Sequence, residues 1–268
     1  MNGVTRNFGG LVAVDDMTFD LKENEVLGLI GPNGSGKTTM INLISGALKP
    51  SGGTIKLFHE DITYARANSI ARSGISRTFQ IVRILPTLSV LENVAAGGVF
   101  GHDRRWGKNL EDYARQILNR VGLENSEHND VSALTYIDQK RLELARALAS
   151  DPTVLLLDEW LAGLNPTELL TGIELIEELS SEGRTIIVVE HVIDAIRSLC
   201  DRCVVMNSGA KIAEGTPDEV LADLRRVRAE RLLVDRVRAL EQHDRLLLAA
   251  LRGSGSGPGS GSGSGSGS

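Results

Sequence analysis

Nine residues, "GPNGSGKTT" from Gly31 to Thr39, constrain this chain more than any other stretch. They follow the short apolar run "EVLGLIG" and open the helix-forming segment "GKTTMINLISGAL", and their spacing, G-x-x-x-x-G-K-T, is that of a P-loop in the context that supports such a match. Gly34 and Gly36 let the backbone curl so that successive N–H groups face one point, and the following helix adds the partial positive charge of its N-terminus. An anion of phosphate chemistry is the ligand such a loop suits. Gly31, Asn33, Gly34, Ser35, Gly36, Lys37, Thr38 and Thr39 are its candidate ligands. Lys37 reaches toward β and γ phosphates, and the Thr38 hydroxyl suits Mg²⁺.

A strand that feeds a P-loop needs neighbours, and the chain supplies them. "TVLLLDE" is another short apolar run, and "RTIIVVEH" is a β-branched one, as strands buried on both faces of a parallel sheet should be. Longer helical patterns lie between, in "NLEDYARQILNRVG" and "PTELLTGIELIEELSSEG". The alternation predicts an α/β core with a parallel sheet, to which the hairpin-like "GGTIKLFHEDI" and "DRCVVMNSGAKIAEG" add antiparallel strands. With 41% hydrophobic residues in 268, the chain has enough apolar material to bury a substantial core.

"VLLLDE" ends a strand on Asp158, which brings a carboxylate to the sheet edge where the P-loop sits and suits it to hold Mg²⁺ through its water shell. Glu159 follows, placed to accept a proton from a water attacking the γ phosphate. An acidic pair after an apolar strand is by itself more often a strand-end cap. The P-loop upstream reverses that reading. His191 closes "TIIVVEH" at the same edge, and Gln80 in "ISRTFQIVRILPTLSVLENV" ends a shorter predicted strand, within reach of Mg²⁺ or the attacking water.

Charge and cysteine content exclude several other chemistries. A net charge of −6 argues against a surface that tracks nucleic acid. No apolar run approaches the roughly 18 to 20 residues that span a bilayer, and no charged leader precedes an apolar core, so the sequence predicts a cytoplasmic protein that meets a membrane only through a partner. Cys200 and Cys203 form a single C-x-x-C without the second pair that structural zinc requires, so they read as two thiols at a helix-to-strand transition. Three segments are expected. Residues 1–220 are the nucleotide-binding domain, 221–252 a helix-forming extension that is either native or foreign to it, and 253–268 a flexible Gly/Ser linker or tag. The extension carries Leu233, Val237, Leu240, Leu247 and Leu251 at helical spacings.

Taken in order, an aromatic before glycine in "RNFGGLVAV", the P-loop, Gln80, "LTYIDQ", "VLLLDE", "LAGLNP" and His191 resemble the nucleotide-binding subunits of ATP-binding cassette (ABC) transporters over nearly all of residues 1–220. "GISRTFQIVRILPTLSVLENV" and "LLLDEWLAGLNPTE" look most like the importers of branched-chain amino acids and related small polar substrates. The resemblance implies the ABC ATPase fold: a P-loop NTPase core with a parallel sheet, an antiparallel β-subdomain and a helical subdomain. It implies an ATPase with ATP and Mg²⁺ as ligands, the metal at Thr38, Gln80 and Asp158, and catalysis by Glu159, His191 and Gln80. Phe8 would stack on adenine, with Val14 among the nucleotide-binding positions. Two such subunits, alike or different, would close head to tail, so that Thr135 and Ile137 of one face the ATP held by the other. Two membrane permease subunits and an extracytoplasmic solute-binding protein would complete the importer, with this chain on the inner face of the membrane.

The chain departs from the family at four places. Thr135 and Ile137 stand where the signature usually has Ser and Gly, Trp160 replaces the proline that commonly follows the glutamate, and Asn165 stands where many relatives have aspartate. Ile137 puts a β-branched side chain where a backbone N–H should approach a γ phosphate, and if the position needs a conformation reserved for glycine the loop must move. Only a few residues precede Phe8, so a clipped first strand is expected. These departures keep two alternatives open: a cassette module with impaired catalysis, and a soluble cassette ATPase outside transport.

Overall fold

The computed structural model describes residues 1–102 and 104–222, of which Met1–Val220 form one compact unit. Apart from its first two residues, the expected extension lies outside the described part, as does the Gly/Ser segment. The chain runs β1 (Asn2–Phe8), β2 (Leu11–Met17), β3 (Val26–Ile30), α1 (Lys37–Ile44), β4 (Gly52–Thr54), β5 (Lys56–Leu57), β6 (Glu60–Asp61), α2 (Ala67–Arg72) and β7 (Ile75–Arg77). It continues with α3 (Val90–Phe100), α4 (Gly107–Arg120), α5 (Tyr136–Ala149), β8 (Val154–Asp158), α6 (Pro166–Ser181), β9 (Thr185–Val189), α7 (Ile193–Leu199), β10 (Arg202–Asn207) and β11 (Ala210–Gly215). The residues before Phe8 suffice for a seven-residue strand.

Six strands form the central sheet, in the order β11-β10-β3-β9-β8-β7. β10 through β7 are parallel, and β11 adds to the edge as the antiparallel half of a hairpin. β3, β8 and β9 are buried at every residue, which is why they read as unbroken aliphatic runs. A second sheet, β2-β1-β4, is antiparallel, and β5 pairs with β6. α1 contributes Met40, Ile41, Leu43 and Ile44 to a core that joins β1 and β2 (Val4, Val14, Met17) to the central sheet (Leu27, Leu29, Leu156, Ile187). α3, α4 and α5 pack on one another as a helical group, and α3 starts on a capping box between Ser89 and Glu92. Among the described residues, no helix is long and apolar enough to cross a membrane.

The sheet order positions the site. Because β3 lies between β10 and β9, and β9 beside β8, the carboxyl ends of these strands form one edge. The P-loop leaves β3 there, Asp158 ends β8, His191 follows β9 and Gln80 follows β7. Ligands of open parallel sheets bind at such an edge. Cys200 and Cys203 are buried free thiols packed against Gly28 of β3, where a β-carbon would come within 2.9 Å of both sulfurs.

Candidate nucleotide-binding site

The P-loop adopts the curl its glycines permit. Gly34 has φ 78° and Gly36 φ 104°, both in the region that L side chains rarely adopt, and a β-carbon on Gly36 would lie 2.5 Å from the Ala13 carbonyl oxygen. Gly36 caps α1 without a side-chain hydrogen bond, so the first N–H groups of the helix are left for a ligand. The turn between β10 and β11 braces the loop: Gly209 N–H donates to the Ser35 carbonyl at 2.9 Å, and its own carbonyl accepts from Asp15 N–H at 2.9 Å. Lys37 is buried and donates through Nζ to the carbonyls of Gly31 (2.8 Å) and Pro32 (3.0 Å). Burial lowers its pKa, against the pull of Glu159 and Asp158.

In front of the loop lies an open cavity of about 860 Å³. It is lined by Gly31, Asn33, Gly34, Gly36, Lys37, Thr38 and Thr39 of the loop, together with Gln80, Glu159 and His191. Phe8 also lines it, 43% exposed, with the Arg6 guanidinium 4.6 Å from its ring centroid. Five expected positions are not on the wall: Val14, Ser35, Asp158, Thr135 and Ile137. Val14 is fully buried in the core, while Leu11, Val12 and Ala13 face the cavity. The cause is a bulge: Asn7 pairs with Val12 and Arg6 with Val14, so Ala13 is an extra residue that turns Val14 to the opposite face from Val12. Ser35 is also buried, its hydroxyl without a partner behind the loop, leaving its backbone rather than its side chain to serve the site.

The carboxylates take different settings. Glu159 has φ 50°, a left-handed conformation uncommon outside glycine, and its Oε2 accepts from Gln80 Nε2 at 2.7 Å. Asp158 is 1% exposed: its Oδ2 meets Arg77 Nη2 at 3.3 Å, and its Oδ1 is buried without a partner. Burial raises the Asp158 pKa, Arg77 opposing and Glu159 reinforcing the rise. No group of three His, Cys, Asp or Glu suited to a metal occurs among the described residues. The donors at hand, the Thr38 hydroxyl, the Gln80 amide and the orphaned Asp158 Oδ1, are hard oxygens. That set fits Mg²⁺, which keeps several waters and takes further ligands from phosphate.

Thr135 and Ile137 lie apart from the cavity, at the start of α5. Thr135 caps the helix, accepting from Asp138 N–H at 3.3 Å and donating to Asp138 Oδ2 at 2.7 Å. Ile137 sits in the first turn of α5 and is not among the residues of positive φ. The conformational objection to isoleucine therefore falls, and only its half-buried side chain remains. Trp160 is 2% exposed and donates from Nε1 to the Lys140 carbonyl at 3.1 Å, while Asn165 caps α6 through Thr167 and Glu168 N–H. Sequence reading missed Leu11, Val12, Ala13, Ser208 and Gly209 on the cavity wall; for the last two, the "NSG" turn of the last hairpin was the available signal. It also missed Lys140 and Glu143, two charges on the core-facing side of α5.

Residues 14–162 match the family model described as ABC transporter. The chain is 40% identical over 234 residues to LivG of Salmonella typhimurium, a high-affinity branched-chain amino acid transport ATP-binding protein, covering 82% of this chain and 92% of that one. Among solved structures, the ADP conformation of MJ1267, an ATP-binding cassette of an ABC transporter, superposes with a TM-score of 0.77 at 29% identity, over 85% of this chain and 95% of that one. A dimeric post-hydrolysis state of the cassette MJ0796, bound to ADP and Pi, gives a TM-score of 0.72 at 27% identity, over 81% and 97%.

Proposed function

The chain belongs to the ABC transporter family of ATP-binding cassettes, and from that premise we propose that it is the ATP-hydrolysing subunit of an importer of branched-chain amino acids. The observation that carries the reading is the convergence of Lys37, Gln80, Glu159 and His191 on one cavity, in a chain 40% identical to LivG. Phe8 stacks on adenine at one end, an interaction worth roughly 1–3 kcal/mol where base stacking on aromatics has been tested by substitution. The loop N–H groups and Lys37 hold the phosphates, and for this Lys37 leaves its two carbonyl acceptors for phosphate oxygens. Glu159, steadied by Gln80, takes the proton of the attacking water, and His191 stands beside the γ phosphate. Thr38, Gln80 and Asp158 would hold Mg²⁺, which would neutralise phosphate charge during the displacement.

Head-to-tail pairing with a second cassette puts Thr135 and Ile137 against the partner's nucleotide, and closure drives two permease subunits fed by a solute-binding protein. The dimeric form of MJ0796 supports the pairing. The chain then works on the inner face of the membrane. The test is leucine uptake in a Salmonella typhimurium strain lacking its own LivG. Uptake is expected with the parent chain and not with Lys37→Ala, which removes the main side-chain countercharge of the phosphates. Equal uptake with both chains, or none of leucine, isoleucine or valine with the parent, overturns the proposal.

A further inference from the structure

Behind the Glu159 turn lie buried charges that the site as described does not use. Lys140, on α5, is 2% exposed, and its ammonium donates to the carbonyls of Trp160 and Ala162, each at 2.7 Å, and of Glu159 at 3.4 Å. The Trp160 indole returns a bond to the Lys140 carbonyl at 3.1 Å. From the other side, Glu190 Oε1 at the end of β9 accepts from Leu161 N–H at 2.8 Å. The Trp160 and Ala162 carbonyls thus bond to α5, the Glu159 and Leu161 N–H groups to Val189 and Glu190 at the end of β9, and the turn closes on itself through Ala162 N–H to the Glu159 carbonyl at 3.1 Å. Such anchoring has a purpose. Glu159 opens the turn at φ 50°, and a left-handed residue other than glycine persists only where its surroundings over-determine it. A lysine withdrawn from water is retained where its donors are satisfied, and here three carbonyls of one turn satisfy them.

We propose that Lys140 is a positioning residue for ATP hydrolysis, holding the carbonyls of 159–162 so that Glu159 keeps its left-handed conformation and its carboxylate stays at the cavity wall. Lys140 stands about one turn along α5 from Thr135 and Ile137, so the same side chain ties the Glu159 turn to the segment assigned to the neighbouring subunit's nucleotide. Movement of α5 on closure reaches Glu159 through this contact. The inference rests on Glu159 being the hydrolytic carboxylate.

The test uses the full chain carrying Lys140→Met or Lys140→Arg. In hydrogen exchange without nucleotide, the Leu161 and Ala162 amides are expected to exchange at least about tenfold faster in Lys140→Met, with β8 and β9 still protected. Lys140→Arg restores protection. ATP affinity by calorimetry stays within about twofold of the parent, while kcat falls at least about tenfold with little change in KM. Unchanged exchange at 161 and 162 overturns the proposal, whether or not the chain hydrolyses ATP. Equal deprotection of β8 and β9, with affinity falling in step with kcat, marks a general packing role and overturns it too. Should Lys140→Met fail to fold, Lys140→Gln, which keeps two N–H donors, is read at the same amides by the same criteria. Failure of the Glu159 assignment shows separately, as turnover that survives Glu159→Gln.

Discussion

Glu159 combines a constrained backbone with a carboxylate that accepts a hydrogen bond from Gln80, so its chemistry can be removed while its shape is kept. Glu159→Gln is expected to leave ATP binding intact and to lower turnover of the assembled complex by roughly 10²–10⁴-fold, the usual worth of a general base. An ATP-stabilised dimer should accumulate; unchanged turnover moves the catalytic role elsewhere. Ile137 poses the opposite question: its backbone is ordinary, so under the proposed head-to-tail pairing its side chain is the one obstacle to test. Ile137→Gly should raise ATP-dependent self-association and turnover of the isolated chain, where both sites use this signature, and should raise them less beside a partner with an intact one. The gain must outweigh up to about 1 kcal/mol lost by placing glycine in a helix. No gain in the isolated chain means that Ile137 is no obstacle. The P-loop, Asp158 and Glu159 were legible because their chemistry follows from residue type at fixed spacing. Val14 was not, because a bulge one residue away decides which face it takes. Lys140 was not, because a charge on a helix reads as solvated until the fold buries it.

At the level of elements, β3 carries the P-loop at one end and is clamped at the other. Glu25, just ahead of β3, receives two bonds from Arg202 at the start of β10, Nε to Oε1 at 2.7 Å and Nη2 to Oε2 at 2.9 Å, and also accepts from Lys22 N–H at 2.8 Å. Burial alone would raise the Glu25 pKa, but the bonds from Arg202 and Lys22 outweigh it and hold the carboxylate below its ordinary range. A depressed folded-state pKa means stability that is present above the unfolded value of about 4.3 and lost as pH falls through the folded one. Glu25→Gln should therefore cost about 2 kcal/mol at pH 7, the scale of hydrogen bonds to a charged group. Urea unfolding of parent and variant should show that difference shrinking below about pH 4. A cost independent of pH would mean that shape rather than charge holds the clamp. β3, β8 and β9 could be read from sequence because strands buried on both faces must be aliphatic throughout. Their lateral order could not, since it is set by crossovers that no local run encodes. The same holds for the pairing of Glu25 with a residue 177 positions away.

Across the whole molecule, the proposed nucleotide site is a cavity assembled from distant parts of the chain: Phe8 on the small antiparallel sheet, the P-loop after β3, Gln80 after β7, Glu159 after β8 and His191 after β9. The turn between β10 and β11 belongs with them, although it contributes no catalytic group. Ser208 and Gly209 both have positive φ, Gly209 bonds to Ser35 and Asp15, and both residues line the cavity. Exposed hairpin tips are ordinarily the places where a chain accepts foreign residues. A peptide epitope inserted between Phe58 and His59, at the exposed tip joining β5 and β6, is expected to leave ATP affinity unchanged in calorimetry. The same epitope between Ser208 and Gly209 should weaken it by at least about tenfold, as for the loss of a single hydrogen bond to a charged phosphate. Two tips that look alike on a topology diagram thus differ in permissiveness, and labels, split sites and circular permutations of this cassette belong at the first and not at the second.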